Sequence, residues 1–181
     1  IEGVLQALDD QDRDDFYEAI HIAKPGGMGK VKQADVQNGS GGTDIGIIDA
    51  MTLAQDRDTI ARQYANGFKD VFEFVQPTVA NAFSECQSLP DAIVHAHLQV
   101  MATIPDTLIA RKCGFETAEK ASSIANQILE QSRWGTVDYY SAVEDFDFWL
   151  RSDSNQRNPG TTADLIAAGL FLSLRSGQLS N

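Results

Sequence analysis

Apolar residues recur at helical spacing along almost the whole chain, and the alternation that is typical of strands is scarce. Tyr139, Val143 and Phe146, for example, fall at i, i+4 and i+7. The stretch from Leu165 to Leu174 is apolar on nearly every side, which indicates a helix at the centre of a bundle. A length of 181 residues suits one compact domain. The sequence therefore predicts an all-α, single-domain, multi-helix bundle over residues 1–181 with a central apolar C-terminal helix.

The charge of the chain narrows the class of partner. Lys and Arg number 14 against 26 Asp and Glu, so the formal net charge is −12. Nucleic acid and anionic membranes repel such a chain, and neither is expected as a partner. Cys86 and Cys113 form no CxxC pair, which argues against structural zinc. No apolar run reaches the roughly 18 residues of a membrane helix, and no signal peptide is visible. A cytoplasmic location is therefore expected. Assembly into a homo-oligomer stays open.

One acidic side chain interrupts an apolar stripe. A helix is predicted from Thr43 to Tyr64, and stepping it at about 100° per residue places Asp58 among Ile, Met and Ala side chains. A buried carboxylate must be paired, hydrogen-bonded or bound to a metal. An ion pair with Arg62 at i+4 and a functional site are both open.

Two histidines lie on another predicted helix, which spans about Asp91 to Thr103. His97 shares the apolar stripe of that helix, so a core histidine with satisfied hydrogen bonds is favoured over a catalytic base. His95 diverges from His97 by about 200° around the helix axis and is expected to face solvent.

Three polar segments each allow two interpretations. Arg111 and Lys112 can offset the helix dipole at a helix C-terminus, or they can bind a polyphosphate. The role at the helix C-terminus is favoured. Thr161-x-x-Asp164 has the form of a capping box, but a glycine loop that leads into a helix can also bind an anion. The Gly-rich loop at 25–43 has the composition of a phosphate-binding loop without the spacing of a P-loop or a Rossmann fingerprint.

Four segments together resemble the triphosphoribosyl-dephospho-CoA synthase family. They are, in order, AIHIAKPGGMGKVKQADV (19–36), DAMTLAQDRDTIARQY (49–64), IPDTLIARKCG (104–114) and NPGTTADLIAAGLFL (158–172). Segment 104–114 is most similar to the divergent, archaeal-type branch. The family pattern normally begins with TTPKPGLVD-like and Gly-x-His-x-Asp-Met-like motifs, which this chain lacks. The 181 residues are therefore expected to be the C-terminal portion of a longer family domain.

The resemblance implies an all-helical transferase whose substrates are ATP and 3′-dephospho-CoA. In that family the 2′-hydroxyl of dephospho-CoA displaces adenine from C1 of the ATP ribose, and the product is the precursor of a prosthetic group. Two alternatives stay open. One is a related nucleotide-dependent transferase with a different acceptor in one-carbon or pterin metabolism, and the other is an inactive helical binding protein of the same fold.

The resemblance also implies a set of site residues. An oxocarbenium-like centre calls for carboxylates, and a triphosphate calls for Mg²⁺, cations and close backbone approach. The expected catalytic residues are Asp58 and Asp106. The expected nucleotide- and phosphate-binding residues are Gly26, Gly27, Gly29, Arg57, Arg111, Lys112 and Thr161. The expected Mg²⁺ ligands are Asp35, Asp58 and Asp164.

Overall fold

The structure is a computed structural model that describes residues 1–23 and 45–179, with the exception of the Glu2 side chain. All regular secondary structure in these ranges is helical, which confirms the predicted all-α class. None of these helices is long and apolar enough to cross a membrane. The chain divides into an N-terminal unit, residues 1–68, and a C-terminal unit, residues 69–181. A single domain over residues 1–181 stays a prediction.

The described part of the N-terminal unit contains four short helices. They are α1 (Glu2–Gln6), α2 (Asp10–Ala23), α3 (Ile47–Ala54) and α4 (Thr59–Ala65). The predicted continuous helix through Tyr64 is wrong, because the backbone of Asp58 is extended, with φ −141° and ψ 109°. The Asp58 side chain instead caps α4, and such a cap competes with continuation of the preceding helix.

The C-terminal unit contains a π-helical turn and six α-helices in its described residues. These are the turn Val71–Val75, α5 (Gln76–Cys86), α6 (Leu89–Thr103), α7 (Thr107–Cys113), α8 (Phe115–Gln131), α9 (Val137–Arg151) and α10 (Gly160–Arg175). Side chains from α6, α7, α8 and α9 form its hydrophobic core. The buried members of that core are Leu98, Met101, Ile109, Ala118, Ala121, Ala125, Ile128, Tyr139, Phe146 and Leu150.

Helix α10 packs against the π-helical turn, α5, α6 and α7, which confirms a central C-terminal helix. The approach is closest at Gly169, where an added Cβ would lie 2.9 Å from Cγ1 of Val75. One side of the helix is open, however, because Phe171 and Leu174 are 62% and 64% exposed. The apolar pattern on nearly every side therefore overstates the burial of α10.

Candidate functional site

A buried carboxylate joins the N-termini of α7 and α10, which belong to the family-like segments 104–114 and 158–172. Asp106 is the N-cap of α7, and its Oδ1 accepts hydrogen bonds from the backbone N–H of Leu108 at 2.8 Å and of Ile109 at 3.0 Å. Its Oδ2 accepts bonds from the backbone N–H and the hydroxyl of Thr162, at 2.7 and 2.8 Å. One side chain therefore caps two helices, and we call this arrangement the α7–α10 junction.

Thr161 strengthens the junction. Its Oγ1 accepts hydrogen bonds from the backbone N–H of Leu108 at 3.1 Å and from the hydroxyl of Thr107 at 3.2 Å. Helix α10 begins at Gly160, so Thr161 lies inside the helix and not at the N-cap position that a capping box with Asp164 requires, and that interpretation is wrong. Close packing explains the difference: a Cβ on Gly160 would lie 2.6 Å from Cδ2 of Leu108. The Thr161 hydroxyl is thus drawn to α7.

The junction occupies the place where an external anion could bind. A carboxylate has about four lone-pair positions, and Asp106 accepts four hydrogen bonds. The N-terminus of a helix favours negative charge, and here Asp106 supplies that charge to both helices. The catalytic role of Asp106 and the phosphate-binding role of Thr161 stay predictions, and each would have to replace bonds that the structure shows.

A cavity with a volume of about 420 Å³ lies beside the junction, between α6, α9 and the loop that leads into α10. Its apolar lining residues are Ile93, Val94, Leu98, Met101, Val143, Phe146, Leu150 and Pro159. Its polar lining residues are His97, Glu144, Asp147, Arg151, Asn155 and Asn158. Asn158 and Pro159 immediately precede the first residue of α10, so the cavity adjoins segment 158–172.

His97 contributes a buried polar atom without a partner. It lines the cavity, and its Nε2 is buried without a hydrogen-bond partner in the described part of the chain. Burial lowers the pKa of the imidazole, and the Asp106 carboxylate opposes that shift. The ring is therefore neutral at pH 7. The prediction of a core histidine with satisfied hydrogen bonds is wrong for this atom, because His97 lies at a cavity and no described group is within hydrogen-bond distance of its Nε2.

His95 has the environment that was expected of His97. It is 6% exposed, its Nδ1 lies 2.9 Å from the hydroxyl of Tyr139, and its Nε2 lies 3.2 Å from Nε2 of Gln99. Burial lowers the pKa of His95, and the Glu85 carboxylate opposes the shift. The predicted solvent exposure is wrong because Tyr139 and Trp134 pack beside this face of α6.

Asp58 is half-buried and acts as the N-cap of α4. Its Oδ1 accepts hydrogen bonds from the backbone N–H of Ile60 at 2.9 Å and of Ala61 at 3.5 Å. The neighbouring Arg57 is exposed. Their catalytic, metal-binding and phosphate-binding roles stay predictions. The predicted site residues Gly26, Gly27, Gly29 and Asp35 lie outside the described residues.

The two cations of α7 lie in its last turn, where they complement the helix dipole. Arg111 is half-buried and Lys112 is exposed, so Arg111 is the more constrained of the two. A phosphate-binding role for either stays a prediction.

Asp164 is exposed and is the fifth residue of α10, after its first turn. Within residues 1–23 and 45–179, no group of three or more His, Cys, Asp or Glu side chains could hold a metal ion. Mg²⁺ commonly takes one or two carboxylates together with substrate phosphate oxygens. A metal-binding role for Asp164 stays a prediction.

The all-helical fold brings two of the family-like segments together beside a cavity of small-molecule size. Comparison with known families supplies the class of protein: the CitG family, described as ATP:dephospho-CoA triphosphoribosyl transferase, matches residues 1–181. The chain belongs to this family and is a transferase, which confirms the resemblance of the four segments. No curated protein and no solved structure matches the chain.

Proposed function

We propose that the chain transfers the triphosphoribosyl group of ATP to 3′-dephospho-CoA. The match of the transferase family to residues 1–181 carries this proposal. The 2′-hydroxyl oxygen of dephospho-CoA forms a bond to C1 of the ATP ribose, and the bond from C1 to N9 of adenine breaks. The hydroxyl proton ends on the departing adenine, and the triphosphate stays on the product. Atoms and charge balance without a further reactant.

The triphosphate and the developing positive charge at C1 set the demands on the site. We infer that Arg111 binds phosphate directly, and that Lys112 adds a weaker positive charge. A magnesium ion would neutralise part of the triphosphate charge when bound, and its proposed ligands are Asp35, Asp58 and Asp164. Binding to free nucleotides fits the net charge of −12 better than binding to nucleic acid or a membrane. Cytoplasmic location and assembly into a homo-oligomer stay predictions.

Incubation of the protein with ATP, MgCl₂ and dephospho-CoA tests the proposal. We expect one adenine for each new product molecule, with adenine measured by chromatography and the triphosphoribosyl adduct by mass spectrometry. Chelation of Mg²⁺ should stop both. Wild-type protein that releases no adenine from ATP with any acceptor would refute the proposal and support the alternative of a helical binding protein.

A transferase with a different acceptor is the second candidate, because segment 104–114 is most similar to the divergent branch of the family. Omission of dephospho-CoA, followed by addition of hydroxyl-bearing pterins, separates the two candidates. Adenine release that requires the pterin and does not occur with dephospho-CoA would support the second candidate.

A further inference from the structure

We propose that the cavity between α6 and α9 binds the adenine ring of a nucleotide substrate and that the phosphates of that nucleotide lie outside it. The inference rests on the proposed function, because ATP and dephospho-CoA both carry adenine. It goes further by assigning a place and a set of residues to the base.

The walls of the cavity suit a flat, uncharged ring. Its volume of about 420 Å³ falls within the range of about 300–1,000 Å³ that is typical of small-molecule sites. Leu98 and Met101 line it from α6, and Phe146 and Leu150 line it from α9. An aromatic base inserted between these two walls would lose its contact with water and gain close contacts with apolar side chains.

The polar groups of the cavity match the edge of adenine. That edge presents ring nitrogens that accept hydrogen bonds and an amino group that donates them. The amides of Asn155 and Asn158 offer donors and acceptors at the rim. His97 is neutral at pH 7, and its Nε2 can donate or accept according to its tautomer. A buried nitrogen without a partner is costly, so a ligand that supplies one is favoured.

The charges at the cavity argue against a triphosphate inside it. Glu144 and Asp147 contribute two carboxylates, and Arg151 contributes one cation. Arg151 forms an ion pair with Asp147 in the same helix. The negative charge of Glu144 therefore remains, and it repels phosphate while tolerating a neutral base that bears an amino group.

The position of the cavity is consistent with a nucleotide that continues toward α10. Asn158 and Pro159 line the cavity and lead directly into the first turn of this helix, and Asp164 follows that turn. A base held in the cavity therefore lies next to segment 158–172.

Filling the cavity from two sides tests the assignment. Val94→Trp adds an indole from the α6 wall at a residue that is 43% exposed, and Val143→Trp adds one from the α9 wall. The matched control is Val137→Trp, at a residue of α9 that is 84% exposed and does not line the cavity. Affinities for adenine, ATP, dephospho-CoA and inorganic tripolyphosphate are measured by calorimetry, and helical content is checked by circular dichroism.

We expect wild-type protein to bind adenine and each wall variant to bind it at least about tenfold more weakly. Val137→Trp should match the wild type, and tripolyphosphate affinity should stay within about twofold in all three variants. A weaker affinity for ATP alone assigns the cavity to the departing adenine. A weaker affinity for dephospho-CoA alone assigns it to the acceptor. If Val143→Trp does not fold, Val94→Trp at the exposed rim decides.

Wall variants that bind adenine, ATP and dephospho-CoA as tightly as the wild type would overturn the cavity assignment, even if adenine release proceeds normally. If the wild type releases no adenine, the proposed reaction is overturned. The cavity assignment would still be supported in that case if the wild type binds adenine and the wall variants do not. Wild-type protein that binds neither adenine nor ATP would overturn both. His97→Gln provides a second readout: it should weaken adenine binding and leave tripolyphosphate binding unchanged.

Discussion

Asp106→Ala should destabilise the C-terminal unit far more than the loss of an ordinary helix cap does. The change removes four accepted hydrogen bonds. The backbone N–H of Leu108 keeps Thr161 as an acceptor, but the N–H of Ile109 and both donors of Thr162 lose the partner that the structure shows. Each buried donor without a partner costs about 1–3 kcal/mol. Allowing for relaxation, we expect a loss of about 3–5 kcal/mol, which is a large part of a typical folding free energy of about 5–15 kcal/mol.

Urea unfolding followed by tryptophan fluorescence measures this loss directly, because both tryptophans, Trp134 and Trp149, lie in the C-terminal unit. The corresponding fall in melting temperature is roughly 6–20 °C. Thr136→Ala is the matched control: it removes the exposed N-cap of α9, which accepts one bond from Tyr139 at 3.3 Å, and should cost about 1 kcal/mol. An Asp106→Ala variant as stable as this control, but without adenine release, would refute the structural role and favour the catalytic one.

Three further predictions follow from the same structure. Gly169→Ala should cost about 1–3 kcal/mol in thermal unfolding, because its Cβ would meet Val75 at 2.9 Å; an unchanged melting temperature would contradict that packing. Burial lowers the pKa of His97, so the unfolded state binds more protons than the folded state does. As the pH falls below about 6.5, the free energy of unfolding should therefore decrease, by at most about 1.4 kcal/mol per pH unit for this residue. Urea titrations across that pH range should show that the free energy of unfolding changes less with pH in His97→Gln than in the wild type, and an equal dependence on pH would refute this prediction. Arg111→Ala should weaken ATP binding roughly 10- to 150-fold by calorimetry and Lys112→Ala should weaken it less, while unchanged affinity in both would leave only the role at the helix C-terminus.

Helical spacing predicted the fold because it depends on local pattern. The core positions Tyr139, Phe146 and Leu150 of α9 are buried as their spacing indicates. The same reasoning failed at Asp58, because stepping residues at a fixed angle assumes that the helix continues, and an Asp can end a helix by capping the next one. The apolar stripe around Asp58 therefore belonged to two separate helices, α3 and α4.

The candidate site was harder to predict because its contacts are distant in sequence. Asp106 and Thr162 are 56 positions apart. The spacing of apolar residues along the sequence cannot predict that the two helices begin next to each other. The two histidines show a related limit. Phase along α6 predicted solvent on the side of His95 and core on the side of His97. It could not show that Tyr139 and Trp134 pack beside His95 while a cavity adjoins His97.

The residues that carry a family resemblance need not be the residues that contact substrate. Asp106 belongs to segment 104–114, and its hydrogen bonds hold the start of α10, including Thr162 four positions after Asn158 at the cavity. His97 belongs to none of the four segments, yet it contributes a buried nitrogen without a hydrogen-bond partner among the described residues. We infer that Asp106 is a positioning residue, because by holding the start of α10 it holds the loop that lines the cavity. Its conservative variant Asp106→Asn, which keeps one acceptor, should weaken adenine binding and stability together, because both depend on where that loop lies.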